Sequence, residues 1–195
     1  MAIQLRNHLP SGEVRNWTLR EIVEGQPIGH PSHALFVHFP VAFYIGVLAF
    51  DLMTKWFDFP TLVLAATFLI IGAQAGSVFA VTTGLVDWWQ MAKGSEKRKK
   101  ATQHMLFQFA TFGFFVVALA LRWSDRDLSE AKVSWIVIEA IGVSTLLVGQ
   151  YLGGVLVYQM AMRVRTTRRA PRQEAPVSSP GAPPAPTPSA GESAP

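Results

Sequence analysis

The chain has 195 residues, half of them hydrophobic and only 15% charged, with a formal net charge of +4 and no cysteine. A soluble domain carries about a quarter charged residues, so this composition points to the membrane class. The lack of cysteine excludes disulfides, cysteine-held iron–sulfur clusters and thiolate chemistry, and the basic residues cluster beside apolar runs, which argues against a nucleic-acid surface.

Residues 1–30 read as a polar arm of mixed charge with no cleavable signal peptide. Within it, TLREIVEG predicts a short amphipathic, interfacial helix. Thr18 and Glu21 form a capping box, and Gly25 is the stop. The stretch GHPSHALFVHFP then places His30, His33 and His38 at the mouth of the first apolar run.

Four apolar runs follow, at about 34–52, 60–86, 105–121 and 133–162. Each is close to or above the ~20 residues that cross a bilayer. Ionisable residues inside them are few: His38, Asp51 at an end, and Glu139. The connections 53–59 and 122–132 are short, which makes neighbouring helices antiparallel. The expected fold is therefore an all-α integral membrane protein, an antiparallel four-helix transmembrane bundle over residues 31–165. No internal repeat is apparent.

Charge sets the expected orientation. Lys93, Lys97, Arg98, Lys99 and Lys100 follow the second run, and Arg163, Arg165, Arg168, Arg169 and Arg172 follow the fourth. The positive-inside rule then puts both termini and the middle loop in the cytoplasm of a bacterial inner-membrane, multi-pass protein. Trp56, Trp123 and Trp135 would mark the outer interface, and Trp88 and Trp89 the inner one. Residues 166–195 are basic and then Pro/Ala/Ser-rich, a composition that predicts a disordered tail.

Each predicted helix has one small or polar face. These are Ala34, His38, Ala42, Gly46 and Ala49; then Gly76, Ala80, Thr83 and Asp87; then His104, Gln108, Thr111, Phe115 and Ala118; and last Glu139, Gly142, Leu146, Gln150 and Gly153. In membranes such faces turn inward. Pro40 cannot donate to the carbonyl of Phe36, so a kink is expected beside His38. Four histidines and Asp87 converge on the cytoplasmic end. Glu139, deep in the opposite leaflet, requires a partner on another helix or subunit.

The pattern GHPSHALFVHFPVAF, then TTGLVDWW, then a basic loop, then ATQHMLF resembles a bacterial family of predicted four-helix membrane proteins of unknown function. The matching features span roughly Gly25 to Met162. The resemblance implies the four-helix topology. Relatives that carry a Rieske-type iron–sulfur domain imply a redox neighbourhood.

Several readings of the polar residues stand. In the first, His38 and His104 hold a cofactor, either haem b or a chlorophyll-type pigment, through neutral imidazole. A compact metal site drawn from His30, His33, His38 and His104 is a variant of it. In the second, the site is structural, with His38 bonded to Asp87 or to the free Phe36 carbonyl, and with Asp87, Glu139 and Gln150 as packing polar groups. In the third, Glu139 and Asp87 mark the two ends of a proton path. No nucleophile–base pair, phosphate loop or paired carboxylates are visible, so the sequence leans away from an enzyme. The expected function is a non-catalytic membrane subunit of a larger bioenergetic complex, of electron-transfer or photosynthetic type. Its partners would be the lipid bilayer and other membrane subunits. A cofactor-free scaffold and a small proton or ion transporter are the alternatives.

Overall fold

The computed structural model describes residues 5–8 and 14–164. A short antiparallel ladder comes first, β1 (Leu5–His8) against β2 (Val14–Trp17). Helix α1 (Leu19–Val23) follows, with Thr18 and Glu21 closing a reciprocal capping box. Gly25 turns the chain at φ 80°, and a Cβ there would sit 2.0 Å from the His30 carbonyl oxygen, so only glycine fits. The expected tail from residue 166 onward lies outside the described residues.

Four helices are long and apolar enough to cross a membrane: Ser32–Met53, Thr61–Trp89, Glu96–Asp125 and Val133–Gln159. The first comprises α2 (Ser32–Phe36) and α3 (His38–Met53), interrupted at Val37. Pro40, which lacks a donor for the Phe36 carbonyl, accounts for the break. The others are α4 (Thr61–Trp89), α5 (Glu96–Arg122) and α6 (Val133–Gly154), the last running into a π turn over Val155–Gln159. Helix α5 begins well ahead of its apolar run. Ser95 caps it by accepting from the Arg98 N–H, and Glu96 favours the N-terminal dipole.

The spans pair first with second and third with fourth. The core joins the pairs through Tyr44, Val47, Ala66, Ile70, Ala73, Phe115, Ala118 and Leu146. Tyr44 stacks on Phe115 with ring centroids 4.2 Å apart, and its hydroxyl meets Ser77 Oγ at 3.1 Å. Bulky side chains such as Phe39, Phe68, Phe79 and Leu147 are exposed, as expected of a surface wetted by lipid.

The inward faces of the second, third and fourth spans are largely those read from small and polar residues. The first span differs. Its buried stripe is Pro40, Tyr44, Val47 and Asp51, whereas His38, Ala42 and Ala49 are exposed. Tyr44 buries far more area than an alanine and satisfies its hydroxyl on Ser77, so it decides the rotation of the helix.

The structure also reveals an internal repeat. His33 faces His104, Tyr44 stacks on Phe115 and Asp51 pairs with Arg122, each pair 71 positions apart. The same spacing aligns Leu35 with Leu106, Phe36 with Phe107, Phe43 with Phe114 and Leu48 with Leu119. Contacts within each pair of spans repeat as well. His33 Nδ1 meets the Ala80 carbonyl at 2.9 Å, and His104 Nδ1 meets the Gly149 carbonyl at 2.7 Å. The two helix pairs are related by a quasi-two-fold axis along the bundle, the arrangement of a parallel membrane repeat. Few identities survive, which is why the repeat escapes a reading of the letters alone.

Candidate functional site: a two-histidine cavity

One end of the bundle encloses a cavity of about 610 Å³, well within the range of small-molecule and cofactor sites. Its wall is mainly apolar and includes Tyr44, Phe109, Phe112 and Leu146. Polar groups enter from His33, His104, Gln108 and Gln150, and Asp87 and Arg163 also line it.

His33 lies inside α2 because that helix begins at Ser32. Ser32 donates its hydroxyl to the Val23 carbonyl, and its backbone N–H donates to the Glu24 carbonyl at 3.3 Å, which ties the arm to the first turn. His104 lies in the third turn of α5. The two imidazole centroids are 6.4 Å apart and their planes are perpendicular, at 89°. Each ring is held by a backbone carbonyl on Nδ1. That contact makes Nδ1 the donor and leaves the Nε2 lone pair as the ligating position.

Glycines create the notches that admit the rings. A Cβ on Gly84 would lie 2.9 Å from His33 Cε1, and one on Gly153 would lie 3.1 Å from His104 Cε1. Any larger residue would push its imidazole off the carbonyl. Gln108 adds an amide whose Nε2 is buried and has no partner among the described residues, a donor left for a ligand.

The structure therefore brings His33, not His38, against His104. His38 is exposed and lines the cavity, and no hydrogen bond reaches it from the described residues. The break at Val37 and the Tyr44 anchor turn it away. His30 is exposed at the rim, its Nδ1 meeting the Pro31 carbonyl at 3.1 Å. Among the described residues no three His, Asp or Glu side chains are placed to hold one metal ion. Gln150 is half-buried in the cavity wall.

Asp87 meets neither imidazole. It accepts two hydrogen bonds from Arg163, through Nε at 3.1 Å and through Nη2. Arg163 also reaches Glu24 at 3.5 Å, and Glu24 accepts from Arg20, Gln26 and Gln90. Arg163 and its neighbour Ala161 both have positive φ, at 57° and 49°. The chain thus folds back at the end of the fourth span and lays a guanidinium beside the cavity. Burial alone would lower the Arg163 pKa, but Asp87 and Glu24 outweigh it and raise it. In the sequence Arg163 reads only as a topology signal.

The opposite end is dry and charged. Arg122, the last residue of α5, is fully buried together with Asp51 and Glu139. Its Nη1 lies 2.9 Å from Asp51 Oδ2 and 3.0 Å from Glu139 Oε1. Its Nη2 donates to Asp51 Oδ1 and to the Val63 carbonyl, both at 3.0 Å. Trp135 covers the guanidinium at 5.0 Å and is itself buried, so it is no interface marker. Glu139 finds its partners on other helices, as burial demanded. By apolar length alone Arg122 falls in the connection 122–132. The signal for it was a lone carboxylate at the depth of an apolar helix, which calls for a cation at the same level.

The family model for a group of predicted membrane proteins, DUF2231, matches residues 29–166. The chain belongs to this family. The match contains both histidines of the pair, their glycine notches and the whole Arg122 cluster, whereas Glu24 and Arg20 lie outside it. No curated protein and no solved structure matches the chain.

Proposed function

We propose that this protein is a non-catalytic subunit of a bioenergetic membrane complex and that its two-histidine cavity holds haem b or another flat, metal-centred macrocycle. The carrying observation is the pair His33 and His104, each fixed through Nδ1 and each left with a free Nε2. With metal–nitrogen bonds of about 2.0–2.1 Å, both imidazoles could hold one ion if their centroids lay roughly 6 Å apart. The observed separation is 6.4 Å. Two imidazoles without a third ligand suit a metal whose remaining positions a macrocycle fills. The apolar wall suits its rim, and Gln108 Nε2 supplies a donor to a polar substituent.

The basic loop that follows α4 supports a cytoplasmic position for this end, in a bacterial inner membrane. Two features favour membrane partners over transport. The fully buried Arg122 cluster closes the far end against a water path, and the large exposed apolar surface leaves room for neighbouring subunits.

Native purification in mild detergent tests this reading, with a visible spectrum and identification of co-purifying chains on the same sample. His33→Ala and His104→Ala should each abolish the same absorption band, and His38→Ala should retain it. A colourless protein from the native membrane would overturn the cofactor and leave a scaffold role.

A further inference from the structure

We propose that the Arg122 cluster is a proton-binding site in which Asp51 and Glu139 share one proton. Two carboxyl groups and one guanidinium are fully buried together. If both carboxyls were ionised, the cluster would carry a net negative charge in a low-dielectric region, which is costly. The contacts show where the proton goes. Asp51 engages the guanidinium with both oxygens, at 2.9 and 3.0 Å. Glu139 engages it with Oε1 alone.

The two carboxyl groups meet the same guanidinium nitrogen, Nη1, at 2.9 Å from Asp51 and 3.0 Å from Glu139. One cation cannot neutralise two ionised carboxylates, so a buried cluster of this composition becomes neutral by holding one proton. Glu139 Oε2 has no donor among the described residues, and Asp51 Oδ2 has only its ion-pair contact with Arg122 Nη1, which is not a hydrogen bond in its geometry. A proton carried by Glu139 and donated to Asp51 satisfies both and makes the cluster neutral. Asp51 remains the ionised partner of Arg122.

The surroundings keep the proton in place. Lys55 is engaged with the Glu130 carboxylate and the Ala131 carbonyl. Lys132 stacks over Trp135 and pairs with Asp125. From α4 the cluster receives only the Val63 carbonyl, which accepts from Arg122. No competing base on the packed elements is within reach among the described residues.

Infrared spectroscopy of the full chain in lipid nanodiscs at neutral pH reads the proton directly. The wild type should show a protonated-carboxyl C=O stretch that shifts on exchange into heavy water. Glu139→Gln removes the carrier and should abolish the band. Asp51→Asn gives Glu139 the guanidinium to itself, so Glu139 ionises and the band should vanish too. Circular dichroism reports whether each variant folds, and either folded variant suffices. A wild type without the band, or a band kept at full intensity in a folded variant, would overturn the proposal.

Discussion

The two ends of the bundle are built from equivalent positions of one repeat and have gone opposite ways. At the histidine end the repeat is kept: His33 matches His104, and Gly84 matches Gly153. At the other end it is broken, with Asp51 against Arg122 and Ile70 in the place of Glu139. The first end is open to a cavity and the second is dry. A ligand held from both sides asks the same residue of each half. A buried ion pair asks opposite residues. Symmetry is preserved where the two halves do one job and lost where their charges must cancel.

The largest expected effect comes from breaking the dry end. Arg122→Leu strands Asp51 and Glu139 without a cation, and removal of one partner of a buried pair costs about 3–5 kcal/mol. Reversible unfolding in mixed micelles should register that loss, whereas His104→Ala should cost roughly 1–3 kcal/mol. Equal losses from the two variants would erase the contrast between the ends.

A charge exchange sharpens the same contrast. Asp51→Arg with Arg122→Asp reverses the pair but leaves Glu139 beside a new carboxylate. Adding Ile70→Glu and Glu139→Ile completes the exchange across the quasi-two-fold axis. The double variant should remain destabilised by about 2–4 kcal/mol, and the quadruple variant should recover most of it. A quadruple variant no more stable than the double would mean that the halves are not interchangeable at this level.

At the open end, Gly84→Val and Gly153→Val should behave alike. Each intrudes on an imidazole and drives it from its carbonyl, at an overpacking cost of about 1–3 kcal/mol. Both should lose the visible band while the protein stays folded. If only one loses it, the two histidines do not serve one ligand together.

Much of the architecture was legible in the sequence, and the reasons are local. Apolar length announces a span by itself, and small or polar residues at helical spacing found the inward faces of α4, α5 and α6. What failed needed contacts between distant elements. The apolar run begins at Ala34 and leaves His33 at its mouth, whereas α2 begins at Ser32 and carries it inward. Nothing in the letters marks Tyr44 as inward-facing, because its hydroxyl partner, Ser77, lies on another helix. Arg122 at the end of a span resembles an interface anchor, and only Asp51 and Glu139 from two other helices turn it inward. The paired carboxylates missing from the sequence motifs are these same two residues.

The smallest expected effect concerns the arm that borders the open end. Burial alone would raise the Glu24 carboxyl, but hydrogen bonds from Arg20, Gln26 and Gln90 and the charge of Arg163 outweigh it, holding the group below its ordinary 4.5. A carboxyl depressed on folding contributes fully above its unfolded value and loses that contribution as pH falls through the lower folded one. The arm should therefore stay docked at neutral pH and loosen only in acid. Ile28 is exposed beside this contact, so a nitroxide there would report the loosening without disturbing the packing. Glu24→Gln should cost less than about 1 kcal/mol at neutral pH, because Arg163 is partly solvated and keeps Asp87 as a partner. The same variant should remove the acid response of the label. If wild type and variant mobilise alike on acidification, the arm is held by something other than Glu24, and the ladder of β1 and β2 with Trp17 becomes the place to look.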